Sequence, residues 1–542
     1  MDQQPAFVAA NDQRLRRLIA TGYFPAELPP PFTTRSFAQH SVGLAKLWDG
    51  AGIRKFWTAP EHFSIPRYNQ VRRKLSIVNP INQLHVAQLI SDNWDDIKLR
   101  LQRSSITEFH PEIVGSGGGR AVTGVNFDGV SRRRAEILAS YGRYVKTDIA
   151  RFYPSVYTHS IAWAMLGKEW VKQNLNTTAF KASFSNHIDK AIAAGQSGQT
   201  VGIPIGPDTS RIVSELIATD LEVTARKDIP DLEQRAVRYV DDLLVGLDDS
   251  ETADAILAKL SAALYEYELE LNAEKTAVHG MGFGHSPEWV HFIRSFDVSS
   301  HVGRQREDLD SFFEQAIHLA DVNPRENVLL FAAKRAATFK IQAENWNHLV
   351  RWFLYISRRS STCLSFVVQH LSVSHVSGTF LPLDEVRTYI HRQLPSRAEA
   401  AHTAEVAWLI FWAREIGITL EPSVLERAVN LRSSVFALLV LDMVTRGLIG
   451  GKLDTSFWEG FANSNGLKSE MWLVAYEATR KAWWPKPKGS AYITSHPYFA
   501  ELWSRDVQFY ESARKSRPQV GPSFFQMLRA VSATGSVGPY PG

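Results

Sequence analysis

The chain has 542 residues, with 60 Lys and Arg against 56 Asp and Glu, for a net charge of only +4. That balance excludes a globally basic nucleic-acid binder, so any cationic footprint has to be local. A single cysteine, Cys363, excludes an internal disulfide and a multi-cysteine metal site, and suits a reducing compartment. The length leaves room for two to four domains with large cores. No apolar run approaches the roughly 18–20 residues of a membrane span. The polar start, Met1 to Gln13, has no signal-peptide pattern. The expectation is a soluble, cytoplasmic protein with no membrane partner.

In chain order, residues 14–20 predict a short amphipathic helix, and Gly22-Tyr23-Phe24-Pro25 with Leu28-Pro29-Pro30-Pro31 an extended arm. Residues 63–80 read as a basic β-hairpin feeding a helix over 81–98. Its Arg67, Arg72, Arg73 and Lys74 suit either a solvated edge strand or a triphosphate clamp. The Gly-rich stretch 115–120 lacks the Gly-Lys-Ser/Thr ending of a P-loop and reads as a connector. A helix opens at Arg132 and ends near Tyr141. Next, a β-rich run ends in the lone acid Asp148, with Phe152-Tyr153 just beyond. A carboxylate ending an apolar strand needs a partner.

Residues 199–221 form a Gly/Pro loop running into a helix, with Asp208 or Thr209 as its N-cap. Gly202 and Gly206 would let the backbone approach a flat partner such as a base pair. Then comes Arg238-Tyr239-Val240-Asp241-Asp242-Leu243-Leu244-Val245, two apolar strands meeting at adjacent carboxylates. Such a pair suits a solvated turn, because Asp favours turns. It also suits a divalent cation, because like charges this close repel and Mg²⁺ prefers hard oxygens. A helix over 251–268 and a returning strand over 269–276 follow. The core is therefore α+β, a sheet covered by helices on one face. On neighbouring strands, Asp148, Asp241 and Asp242 would converge as a two-metal phosphoryl-transfer site.

Beyond residue 300, helical segments near 306–321, 325–341, 345–358, 383–394, 398–416, 422–431, 433–447 and 467–482 recur in pairs, the pattern of a helical-repeat solenoid. The later tryptophans fit packing anchors. Arg397-x4-His402 fits a loose ribonuclease pattern that arises often by chance.

Asp148-Ile149-x-x-Phe152-Tyr153, Gly202-Ile203-Pro204-Ile205-Gly206, Tyr239-Val240-Asp241-Asp242 and Leu271-Asn272-x-Glu274-Lys275-Thr276 resemble polymerase motifs A to D in order, and Tyr-x-Asp-Asp is the reverse-transcriptase form. With Gly22-Tyr23-Phe24-Pro25, Phe-Tyr-Pro-Ser-Val-Tyr-Thr-His-Ser and the helical C-terminus, the chain resembles bacterial abortive-infection and "unknown group" defence reverse transcriptases. That resemblance implies a right-hand fingers–palm domain over 61–300 after an N-terminal extension, 1–60. A HEAT-like helical-repeat domain, 301–530, would stand in place of a thumb, followed by a tail, 531–542. It implies phage defence by untemplated, protein-primed DNA synthesis from dNTPs, single-stranded DNA attached to protein, a homo-oligomer (trimer or hexamer) and an RNA partner as an open option. Two Mg²⁺ ions, with Mn²⁺ as a substitute, would be held by Asp148, Ile149, Asp241 and Asp242. Arg73, Lys74, Tyr153 (as steric gate), Gly206 and Lys275 would bind nucleotide, and Tyr23 and Tyr540 are candidate priming hydroxyls. One departure stands out: template-copying relatives often carry Pro-Gln-Gly where this chain has Pro204-Ile205-Gly206. The alternative reading is an RNA-templated enzyme of the retron or group II intron kind.

Overall fold

The Arg143–Asp148 run becomes a central strand because its alternate residues serve two faces: Val145 is fully buried, while Lys146 points the other way. The computed structural model describes residues 10–48, 52–68, 71–115, 119–280, 287–486 and 489–517. Its eight strands are β1 (Glu61–Tyr68), β2 (Val71–Ile77), β3 (Phe109–Ile113), β4 (Val122–Val125), β5 (Arg143–Asp148), β6 (Ala236–Tyr239), β7 (Asp242–Leu247) and β8 (Ala277–Gly280). Strands β1–β2 and β3–β4 make two-stranded ribbons, and the rest form one antiparallel sheet ordered β6-β7-β5-β8.

One face of that sheet buries Val145, Val245 and Leu247 against Ile256, Leu260 and Ala225, from the helices Ala253–Tyr265 and Asp208–Asp228. The expected single covered face needs a correction. Helix Phe127–Ser140 packs on β6 and β7, setting Val130 and Arg134 beside Leu244 and Asp242. The returning strand also moves. Leu271 makes only a bridge to Ile149, and β8 forms at Ala277–Gly280 instead. The cause is a turn at Asn272, whose carbonyl accepts the Lys275 and Thr276 N–H groups at 3.1 and 3.0 Å.

Beyond residue 300 the helices stack in two layers. Val302–Val322, Ala343–Arg359 and Leu383–Glu399 neighbour one another, as do Val328–Ala336, Leu364–Val376, Thr403–Ile416, Ser434–Thr445 and Trp472–Arg480. Helix Leu364–Val376 was not expected, because its Val- and Ser-rich sequence has low helix propensity. Burial of Phe366, Val367, Val368 and Leu371 overrides that preference. The expected 398–416 helix breaks at Ala401, which has φ +53. Of the later tryptophans, Trp412, Trp458 and Trp472 are fully buried, as packing anchors are.

The helical arc closes on the start of the chain. Phe32 bridges Tyr510, and Phe509 lies 5.5 Å from the Phe37 ring. Arg72 on β2 forks Glu405 of the Thr403–Ile416 helix at 2.8 and 2.7 Å, and Thr403 Oγ1 accepts the Ser64 N–H. The hairpin is thus tied to the arc. No helix among the described residues is long and apolar enough to cross a membrane.

Candidate active site

Strand pairing alone sets Asp148 of β5 directly opposite Asp242 of β7. Cross-strand partners on one face have Cβ atoms roughly 4.5–5.5 Å apart, and like charges there destabilise a sheet. Asp241 follows in the same turn, its carbonyl accepting the Ile149 N–H at 3.3 Å. Burial, then Asp242 and Asp148, pushes the Asp241 carboxyl up to about 7. Burial also raises Asp148, against the opposing pull of Lys275. The Lys275 ammonium binds Asp148 Oδ2 directly. Burial lowers the Lys275 pKa, yet Asp242, Asp148 and Asp241 together hold it above the ordinary lysine value.

The turn itself is strained. Val240 adopts φ +56, a left-handed conformation that is a genuine outlier for a β-branched residue. It is held from below. Buried Arg238 donates to the Val240 carbonyl at 3.1 Å and forks Glu215 at 3.0 and 2.7 Å. Glu215 lies on the helix after the Gly/Pro loop, so that helix positions the acidic turn. Nothing in the sequence pattern marked Glu215.

The loop is pinned just as firmly. Arg120 bonds Asp208 Oδ1, the Gly206 carbonyl and the Phe24 carbonyl. Asp208 therefore serves Arg120 and the Val122 N–H, and the helix has no side-chain N-cap, contrary to the sequence expectation. At Gly206, φ +130, a Cβ would meet Pro25 Cγ at 2.8 Å. The close approach expected for a nucleotide is taken by the N-terminal arm. Tyr153 is buried, its hydroxyl 3.0 Å from Ser214 Oγ and its pKa pushed up to about 12 by burial.

Among the described residues no three or more His, Cys, Asp or Glu side chains form a ready metal cage. The acids nonetheless fit a hard cation. Asp148 Oδ1 is buried with no hydrogen-bond partner, and Mg²⁺ typically takes one or two carboxylates and completes its shell with water and substrate phosphates.

Residues 95–293 match the family described as reverse transcriptase (RNA-dependent DNA polymerase). The chain carries a reverse transcriptase domain. The family that this domain matches is one of nucleotidyltransferases of the RNA-directed DNA polymerase type. No curated protein matches the chain. Solved structures similar to it include apo telomerase from Candida tropicalis truncated from its C-terminal domain (14% identity, TM-score 0.28, covering 42% of this chain and 51% of that one). The apo telomerase of the same organism gives 10% identity, TM-score 0.33 and coverage of 69% and 76%. Telomerase from Candida albicans in complex with a fragment of telomeric RNA gives 13%, 0.28, 74% and 66%. The chain thus spans about half the length of the first of these, and likeness this slight carries no argument about activity or partners.

The reverse transcriptase domain opens onto a cavity of about 500 Å³. Its floor is Lys146, Thr147, Asp242, Asn272 and Lys275; the hairpin contributes Arg67, Tyr68 and Arg73. The third wall comes from the helical arc, through Arg325, Glu326, Lys334, Ser361, Thr362 and Ser365. Burial raises Glu326, with Lys146 opposing, and burial pushes Lys334 down to about 8. Lys146 was legible only as a strand lysine, two residues before Asp148 on the same strand face. Nothing local marked Glu326 and Lys334, which lie far along the chain.

Of the remaining sequence expectations, Arg73 reaches the cavity, whereas Lys74, its neighbour on the other strand face, is exposed outside the cavity lining. Arg72 is committed to Glu405. Tyr23 is fully buried and donates its hydroxyl to the Val78 carbonyl, so it cannot prime without the arm unfolding. Tyr540, the 531–542 tail and residues 116–118 lie outside the described residues. His402 Nδ1 sits 3.5 Å from Glu405, which Arg72 already holds. That packing gives no nuclease site.

Proposed function

We propose that this chain polymerises DNA from dNTPs in defence against phage, without a template and from a protein hydroxyl. The single observation that carries the polymerase reading is the cross-strand Asp148–Asp242 pair with the orphaned Asp148 Oδ1 beneath it. Asp148, Asp241 and Asp242 would hold Mg²⁺, which when bound activates the attacking oxygen and stabilises the leaving pyrophosphate. Arg73 and Arg67 bind triphosphate oxygens from the hairpin side, where guanidinium forks suit them. Lys275 moves from Asp148 to the phosphates as substrate arrives. Tyr153 and Ser214 fix the wall beside the sugar, the place of a steric gate.

Untemplated synthesis is supported by Ile205 in place of a polar amide and by the arc walling a cavity that suits one nucleotide better than a duplex. The two-layered arc is read as a HEAT-like repeat standing where a thumb would. Defence, cytoplasmic location and a homo-oligomer rest on the motif resemblance; light scattering tests the oligomer. With Tyr23 buried, the priming hydroxyl is to be sought by mass spectrometry of the purified protein for a nucleotide-modified Tyr or Ser.

The test is incorporation of labelled dNTPs with Mg²⁺ and no added nucleic acid. Products that vanish in Asp241→Asn support the reading, together with loss of phage protection in cells carrying that variant. Synthesis only on a primed RNA template would overturn the untemplated part and favour a templated enzyme.

A further inference from the structure

A second feature lies outside the cavity described above, at the Gly/Pro loop between helices Phe184–Ala194 and Asp208–Asp228. The Gly202 N–H donates to Val156 O at 2.7 Å and the Ile203 N–H to Tyr153 O at 2.9 Å. Just beyond, Tyr157 bridges Val201, and the Val201 side chain is 61% exposed. Trp57 is equally exposed at 61%, yet it is not loose. One face of its indole rests on the turn at Gly198, φ +82, where a Cβ would come within 3.1 Å of Cζ3. The backbone on either side is tied down, with Thr58 N–H to Ala194 O at 3.0 Å and Ser197 N–H to Thr58 O at 2.8 Å. An exposed aromatic ring held rigid from behind binds a flat partner with little ordering cost.

Cations lie on the segment that carries this ring and on the helix Phe184–Ala194 packed against that segment. Arg54 and Lys55 are exposed immediately before the ring. Burial first, then the nearby Arg54 and Lys190, disfavours protonation of His187. Lys190 also neighbours His159, whose Nδ1 bonds the buried Asp189 and whose ring stacks edge-on to Tyr157 at 4.5 Å. Asp189 is committed to His159, so it does not cancel the surface cations. In a chain whose net charge is only +4, a strip of cations interleaved with a fixed aromatic is the local footprint of a single-stranded polynucleotide.

We propose that the face formed by Arg54, Lys55, Trp57, His159, Lys190 and Val201 binds single-stranded DNA, the product strand, as it leaves the reverse transcriptase domain. Bases stack on the Trp57 indole and the apolar Val201, and phosphates lie along the cations. The inference rests on the polymerase reading above and extends it to a surface outside the cavity.

The test uses the full chain and a fluorescein-labelled oligo(dT) of about 20 nucleotides, long enough to cover one such site, read by anisotropy across a salt series. Trp57→Ala is expected to weaken binding about tenfold, within the range of losing one stacking platform, and Trp57→Phe to restore most of it. The combined Arg54→Glu, Lys55→Glu, Lys190→Glu variant is expected to lower the salt slope by about 2, three contacts at roughly 0.7 each. Both variants should add a first nucleotide at the wild-type rate and make shorter products. Thermal melts at the wild-type temperature show that they are folded. Unchanged oligo(dT) affinity in folded variants overturns the proposal, and so does tighter binding of oligo(U) or duplex DNA by this face. Asp241→Asn separates the two readings. It should bind oligo(dT) as the wild type does; if it still incorporates dNTPs, the polymerase reading falls while the binding result stands.

Discussion

Asp241-Asp242 and Asp248-Asp249 are the same dipeptide seven residues apart, at the two ends of β7. The first pair lies opposite another acid, under a strained Val240, with burial pushing Asp241 up to about 7. The second is exposed; its backbone carbonyls accept from Arg143, and Arg235 stands 4.0 Å from Asp248. Chemistry follows surroundings rather than residue type. A carboxylate in water needs no partner, whereas three carboxylates held together in a protein need a cation or a retained proton.

The largest effect should come from removing charge at one pair and not the other. Asp148→Asn, Asp241→Asn or Asp242→Asn is expected to lower dNTP incorporation on the order of a thousandfold, the scale of losing one electrostatic stabiliser of a transition state. Asp249→Asn should stay within about twofold, since an exposed charge is screened. Labelled-nucleotide incorporation checks both, and equal losses would erase the contrast.

Next come the supports beneath each turn. Glu215→Ala removes the fork that holds the buried Arg238 guanidinium, leaving it Glu222 at 3.7 Å, and is expected to cost about 2–3 kcal/mol in denaturant melts. Glu251→Ala, at the far end, leaves Arg235 its 2.9 Å pair with Asp231 and should cost under about 1 kcal/mol.

A pH series sharpens the contrast further. The folded-state pKa of Asp241 is raised from 3.8 to about 7, so between these values the metal-free folded chain holds a proton that the unfolded chain has released. By linkage this group contributes falling stability as pH rises through that window. Mg²⁺ should therefore raise the melting temperature more at pH 8 than at pH 5.5, because below about 7 the proton competes for the same oxygen. An equal Mg²⁺ shift at both pH values would place the cation elsewhere.

The smallest expected change is at Val240. Val240→Gly relieves the left-handed strain but adds backbone entropy to the unfolded chain, so the net stability change should lie within about 1 kcal/mol. Incorporation should fall as the turn loosens; a stability loss well beyond that range would mean that the Val240 side chain packs more than it strains.

Residue order alone placed Asp148, Asp241 and Asp242 at strand ends, because strand periodicity and turn chemistry are local and leave a mark within a few positions. Lys146 shares the strand face of Asp148 two residues earlier, but nothing in the local pattern distinguishes it from an ordinary strand lysine. Residue order could not show that Arg72 would turn from phosphate to Glu405, that Tyr23 would be sealed under Val78, or that Gly206 would face Pro25. Each of those outcomes depends on a partner distant in sequence. The same holds for Leu364–Val376, where burial against neighbouring helices reversed a β-like local preference, and for Glu326 and Lys334, which reach the cavity only because the helical arc curves back to the hairpin. Local pattern determined which acids stand at strand ends in this chain. Long-range packing decided what surrounds them, because burial and charge pairing are properties of the folded neighbourhood.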